Sequence, residues 1–191
     1  RDESHDVLNI TSKLLNVSEV QTKGIDFTVG YGLPITPKFR ADLNVYGNIL
    51  LEMKEILAGE DEEDRLGTIA SMSTYNGALP KLRFTTDIAF GGSNWKLSNR
   101  LRYIGRVEYF AWKGADEQTV TADDIPSHYY DPMVYWDISA LFMWKGLDFI
   151  IGMDNVLELD PPFIPRGDAN SNANTYDFMG RYLYTKIGYQ F

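Results

Sequence analysis

At 191 residues the chain has room for one ordinary domain, and its 44% hydrophobic content includes no run near the roughly 20 apolar residues a membrane helix requires. Cysteine is absent, which excludes disulfides, thiolate metal sites and cysteine nucleophiles, and a net charge of -9 argues against nucleic acid as a partner. The opening Arg1-Asp2-Glu3-Ser4-His5 carries neither Met nor a basic-then-apolar targeting segment and reads as a processed product or a piece of something longer.

Residues 1–16 read as a loop or irregular lead-in; their one short alternating stretch, Val7 to Thr11, is too brief to make a convincing strand. From 17 to 31 a strand is predicted. It is polar on both faces at first, then alternates through Ile25, Phe27, Val29 and Tyr31. Across 38–51, Phe39, Ala41, Leu43, Val45, Ile49 and Leu51 oppose Lys38, Arg40, Asp42, Asn44 and Asn48. Two further strands follow: Leu82, Phe84, Ile88 and Phe90 oppose Arg83, Thr85 and Asp87, then Trp95, Leu97, Leu101 and Tyr103 oppose Lys96, Ser98, Arg100, Arg102 and Arg106.

The later strands are more apolar. Val134, Trp136, Ile138, Ala140, Phe142 and Trp144 oppose Tyr135, Asp137 and Ser139, and Leu147, Phe149, Ile151 and Met153 oppose Asp148, Gly152 and Asp154. The last strand places Leu183, Thr185, Ile187, Tyr189 and Phe191 on one face and Tyr184, Lys186, Gly188 and Gln190 on the other. Links between these seven strands alternate in length: 32–37, 91–94 and 145–146 are short, whereas about 54–78, 113–131 and 159–176 are long. Short turns on one side, long loops on the other and an aromatic-ended final strand are the pattern of an antiparallel transmembrane β-barrel. Arg100, Arg102 and Arg106 then face a wet lumen or a polar object inside it, because arginine at the lipid midplane costs about 2–4 kcal/mol; contacts with carboxylates of such an object, or guidance of an anionic substrate, are the uses expected of them.

Three stretches resemble the TonB-dependent outer-membrane receptors of Gram-negative bacteria. Trp136-Asp137-Ile138-Ser139-Ala140 with Ile151-Gly152-Met153-Asp154-Asn155-Val156-Leu157 is similar to that family's penultimate hairpin. Asp160-Pro161-Pro162-Phe163 is similar to the start of its last extracellular loop, and Asn174 to Tyr182 with Gly188-Tyr189-Gln190-Phe191 to its closing strand. Upstream, Gln21-Thr22-Lys23-Gly24-Ile25-Asp26 and Leu101-Arg102-Tyr103-Ile104-Gly105 fit earlier strands of such barrels. Family barrels have about 22 strands around a plug. The resemblance therefore implies that 17–191 is the C-terminal segment of the barrel; the residues show no Ser/His/Asp arrangement and no phosphate-cradling glycine run, so neither a catalytic role nor a cofactor is expected. The resemblance further implies uptake of a scarce bulky nutrient, whether iron chelate, cobalamin or oligosaccharide. The implied partners are the rest of the receptor, the TonB-ExbB-ExbD complex acting through the plug, lipopolysaccharide, and the outer-membrane assembly machinery, which would read Leu183, Ile187, Tyr189 and Phe191 as its closing signal.

Other constellations are weaker. Trp112, Tyr129, Tyr130 and Phe163 lie near the long-loop rim, where they either stack on a substrate or belong to the interfacial girdle. The acidic run Glu60 to Asp64 reads as a solvated loop tip, with cation binding as the alternative. Asp168, Asn170, Asn172 and Asn174 have the opening spacing of a calcium loop, but Ala173 and Met179 stand where its Gly and Glu belong, so turn chemistry accounts for them. His5 and His128 have no metal-ligand spacing, and the Asp123-Asp124 pair reads as solvated. Two other architectures fit the alternation: a small eight-stranded structural or adhesive barrel, and a soluble carbohydrate-binding sandwich.

Overall fold

The computed structural model describes residues 18–57, 61–70, 77–109, 129–164 and 170–189. These residues are all-β, and seven of the strands form one antiparallel meander in chain order. The strands are β1 (Ser18–Thr36), β2 (Phe39–Leu57), β6 (Leu82–Gly91), β7 (Trp95–Ile104), β10 (Met133–Trp144), β11 (Leu147–Asp154) and β12 (Tyr182–Tyr189). The predicted strands thus all form, each beside its sequence neighbour. The first two run longer than alternation suggests, each covering 19 residues. β7 stops at Ile104, short of Arg106, because the chain leaves the sheet at Gly105, whose N–H donates to the Leu82 carbonyl at 3.0 Å.

Register carries the face segregation unbroken across the sheet. On one face, Leu43 lies level with Ile88, Ile88 with Asn99, Asn99 with Ile138, Ile138 with Met153 and Met153 with Leu183. One residue further along, the opposite face reads Asn44, Asp87, Arg100 and Asp137 in successive strands. A one-residue slip in any pair would put charge among the aliphatics, so the pattern itself fixes the pairing. The apolar face is bare: Val29, Tyr31, Phe142, Ile151, Leu183 and Ile187 are 47–73% exposed. Phe39 stacks on Phe90 and Trp95 at 6.5 and 5.9 Å near the short turns, and Phe84 on Tyr103 at 4.8 Å nearer the long loops. Ten-residue strands such as β6 and β7, at about 3.3 Å per residue, extend about 33 Å.

The buried core lies at the long-loop end. There β4 (Thr68–Ala70), β5 (Gly77–Ala78), β8 (Val107–Tyr109) and β9 (Tyr129–Tyr130) form a second small sheet in the order β5-β4-β8-β9, with β4 parallel to β8. Ile69, Val107, Tyr109, Tyr130, Ile164 and Tyr176, drawn from all three long connections, pack into one cluster with Ile104 and Tyr135 from the wall. The hydroxyl of Thr175 accepts the Ala78 N–H at 2.8 Å, tying the last loop to the first. Folded loops replace the irregular ones that composition suggests. A tail of one or two apolar residues per loop suffices, because they meet in space.

The acidic run is also better ordered than its composition implies. Glu63–Asp64 forms β3, paired with β2 opposite Glu55 and Lys54. Glu62 bonds Lys54 at 2.5 Å, the Asp64 carboxylate accepts the Leu66 N–H at 2.9 Å, and Glu63 joins Glu55 around Arg65 at 2.6 and 3.0 Å. Residues 62–64 are thus held against β2 and are no loose tip; basic partners on both sides draw them in. Glu60 lies outside the described residues.

Candidate binding face and its charge network

The polar face of the sheet is where chemistry gathers. Register sets Arg100 between Asp87 on β6 and Asp137 on β10, directly opposite on each side. Opposite charges facing across strands stabilise the pairing. Arg100 donates to both oxygens of Asp87, Nε to Oδ1 at 2.7 Å and Nη2 to Oδ2 at 3.1 Å. Arg102, two residues on, is gripped from two sides: Nε and Nη2 reach Asp137 at 2.9 and 3.2 Å, and Nη1 and Nη2 reach Asp177 at 3.1 and 2.5 Å. Its guanidinium also lies over the Tyr135 ring, 4.9 Å from the centroid. Arg40 pairs with Asp42 near the short turns. Arg100 and Arg102 therefore bond carboxylates of the wall and of the last loop, through three bidentate grips of the strong kind.

Asp137 has a second duty. Its Oδ1 accepts the N–H of Asn155, which sits at φ 49 directly after β11. The Asn155 side chain, 1% exposed, donates to the Leu159 carbonyl at 2.9 Å and accepts the Leu159 N–H at 3.0 Å. Asparagine tolerates the left-handed conformation and can bond backbone on both sides, so this residue turns the chain out of the sheet into the last loop.

Two hollows adjoin this charge network. One, about 680 Å3, lies over the middle of the wall, and one of about 870 Å3 lies nearer the cap; they share Arg100, Asp137, Asp154 and Tyr184. Tyr182 and Tyr184 project into the upper hollow from β12 with their rings stacked at 6.3 Å and 24°. Tyr184 lies across Gly152 of β11, so close that a Cβ there would sit 2.3 Å from its Cζ. Glycine at 152 is what lets the ring lie flat against the wall.

The residues singled out from sequence are placed as follows. Arg100 and Arg102 point to the polar face as expected, but Arg106 lies past the end of β7 and is exposed, its guanidinium 4.2 Å from the centre of the Tyr129 ring. Tyr129 and Phe163 are about half exposed at the cap, whereas Tyr130 is buried within it at 6% exposure. Burial raises the Tyr130 hydroxyl pKa to about 12 and pushes that of Tyr176 up further. Leu183, Ile187 and Tyr189 lie on the exposed apolar face of β12. Trp112 and Phe191 fall outside the described residues, as do His5, His128, Asp123, Asp124 and Asp168. Among the described residues no group of three histidines or carboxylates is placed to hold a metal ion. Asn172 instead closes a turn, its carbonyl accepting the N–H of Thr175 and of Tyr176.

Asp154, Asp177, Tyr182 and Tyr184 were not singled out by sequence. Their signal was available in the parity of β11 and β12, which puts Asp154, Tyr182 and Tyr184 on the charged face; Asp177 belongs to a loop and has no such signal. Comparison of the chain with protein-family models, with curated proteins and with solved structures finds no match.

Proposed function

We propose that this chain is a C-terminal wall segment of a TonB-dependent outer-membrane receptor, a plugged barrel that takes up a scarce bulky nutrient. One observation carries the reading: a single apolar face, continuous across seven strands and exposed on all of them but β6, backs onto a face where opposite charges pair. An exposed apolar surface of that extent asks for lipid or a partner. Among the described residues, nothing in this chain covers it.

Three further features support it. Short turns lie at one end of the sheet and a folded cap of three long connections at the other, the asymmetry of outer-membrane barrels. Among the described residues neither β1 nor β12 pairs with another strand at its outer edge, and unpaired backbone cannot stand in hydrocarbon, so further strands would complete the wall. The motif residues meet in one corner, where the Asn155 N–H donates to the Asp137 carboxylate and the Val156 N–H to the Trp136 carbonyl at 2.7 Å. On this reading the polar face borders the plug and the substrate path, lipopolysaccharide meets the apolar face, the assembly machinery engages β12, and TonB-ExbB-ExbD acts on a plug outside this segment.

The test is fractionation. The protein should leave the cell envelope only with detergent, and should migrate faster on a gel unheated than boiled. A protein that remains monodisperse in plain buffer would overturn the assignment.

A further inference from the structure

Resting on that reading, we infer that the upper hollow takes an uncharged, polyhydroxylated ligand, a stretch of oligosaccharide, stacked on Tyr182 and Tyr184. Three carboxylates, Asp137, Asp154 and Asp177, line the hollow together with three cations, Arg100, Arg102 and Lys186. Arg100 is held by Asp87 through two hydrogen bonds, and Arg102 by Asp137 and Asp177 through four. Lys186, whose Nζ lies 5.4 Å from the centre of the Tyr184 ring, is matched in charge by Asp154, so an anionic chelate meets one cation here and would have to break those grips to find a second. Nothing in the balance attracts it.

What remains on offer is hydrogen-bond acceptance. Four of the five N–H donors of the Arg102 guanidinium are committed, yet each carboxylate has about four lone-pair sites, so acceptors outnumber donors around the hollow. A ligand rich in O–H donors complements such a wall; a ferric tris-catecholate, which presents anionic oxygens, does not. The second requirement is a flat apolar platform. Tyr182 and Tyr184 stack nearly parallel, and Tyr184 is fixed against Gly152, so the pair is arranged before any ligand arrives. Sugar rings present C–H faces to such rings while their hydroxyls reach sideways, which is the mixture of apolar contact and convergent polar groups that defines a small-molecule site. At about 870 Å3 the hollow suits several sugar units.

The experiment is calorimetric titration of the protein extracted from its own outer membrane in detergent. Malto-, xylo- and chito-hexaose are the neutral probes, with ferric tris-catecholate and cyanocobalamin as the competitors. At least one hexaose should bind, with little dependence on salt. Tyr182→Ala and Tyr184→Ala should each weaken that binding about tenfold, roughly the worth of one aromatic contact. Gly152→Ala should weaken it too, because its Cβ displaces the Tyr184 ring, while Tyr182→Phe should preserve it. Unheated gel mobility unchanged from the parent shows that each variant is still assembled. Binding of the catecholate or the cobalamin with every hexaose silent overturns the inference but leaves the receptor reading intact. Hexaose binding that ignores all of these substitutions also overturns it. Solubility without detergent would instead remove the receptor reading itself.

Discussion

Asp137 and Asn155 are joined by a 2.9 Å hydrogen bond from the backbone N–H of Asn155 to the Asp137 carboxylate, across the β10–β11 hairpin. The same carboxylate holds Arg102, and Arg102 holds Asp177 of the last loop. One aspartate therefore sets where β11 ends and where the final loop returns. Asp137→Ala should destabilise the folded protein by about 2–3 kcal/mol, since it strands a partly buried arginine and an N–H together. Asp137→Asn keeps an acceptor for Asn155 and should cost about half as much. Urea titrations in detergent micelles, followed by tryptophan fluorescence, would order the two. Equal midpoints for the parent and Asp137→Ala would remove the corner from any account of stability.

Asn155 makes a separate demand. Its left-handed backbone and its two bonds to Leu159 are both lost on substitution by alanine. Asn155→Ala should cost about 2 kcal/mol, whereas Asn155→Gly, which restores the conformation but not the bonds, should cost about 1 kcal/mol. If glycine proves the worse of the two, the backbone conformation is not what the residue supplies.

The two faces of the wall should respond oppositely to charge. Ile138 and Ser139 are adjacent on β10 and point to opposite sides of the sheet, Ile138 level with Asn99 and Met153, Ser139 level with Ser98 and Gly152. Ile138→Arg should cost about 2–4 kcal/mol in lipid vesicles, the midplane cost of arginine on a barrel's outer face. Ser139→Arg should change stability by less than about 1 kcal/mol. Refolding of both variants into phosphatidylcholine vesicles would check this. A larger loss for Ser139→Arg would mean that the sides have been assigned the wrong way round.

How far the sequence discloses this structure follows from how far each signal travels along the chain. Strand existence and facing were legible because alternation repeats over eight or more residues in β6, β7, β10, β11 and β12, and hairpin order followed from the short links. The cap was not legible. β4, β5, β8 and β9 are two or three residues long, too short to display a period, and β4 finds its parallel partner β8 about 40 residues downstream. Tyr130 accordingly read as a rim aromatic although it is a core residue of the cap. The acidic run misled for a related reason: Lys54 and Arg65, which hold it, lie on either side of the run, so its own composition suggested solvation. The arginine stripe was half legible. Parity placed Arg100 and Arg102 correctly, but nothing before Gly105 announced that the chain would leave the sheet and carry Arg106 onto Tyr129.

The cap's separate core makes it sensitive to alkali. The Tyr130 hydroxyl, ordinarily titrating near 10, is raised to about 12 by burial, and Tyr176 is raised as well. Because the folded pKa exceeds the unfolded one, the unfolded cap releases its protons first as pH rises. The stabilisation from keeping these phenols neutral is complete below pH 10 and declines as pH climbs through about 12. Near-ultraviolet circular dichroism should therefore fade between pH 10 and 12 while the far-ultraviolet signal of the seven-stranded sheet persists. Among the described residues the Tyr130 hydroxyl has no hydrogen-bond partner. Tyr130→Phe should thus leave stability at neutral pH unchanged or raise it by about 1 kcal/mol, and should move the alkaline loss to higher pH. A cap signal that collapses together with the sheet, or a phenylalanine variant that melts at lower pH than the parent, would show that Tyr130 is anchored by a bond and not merely buried.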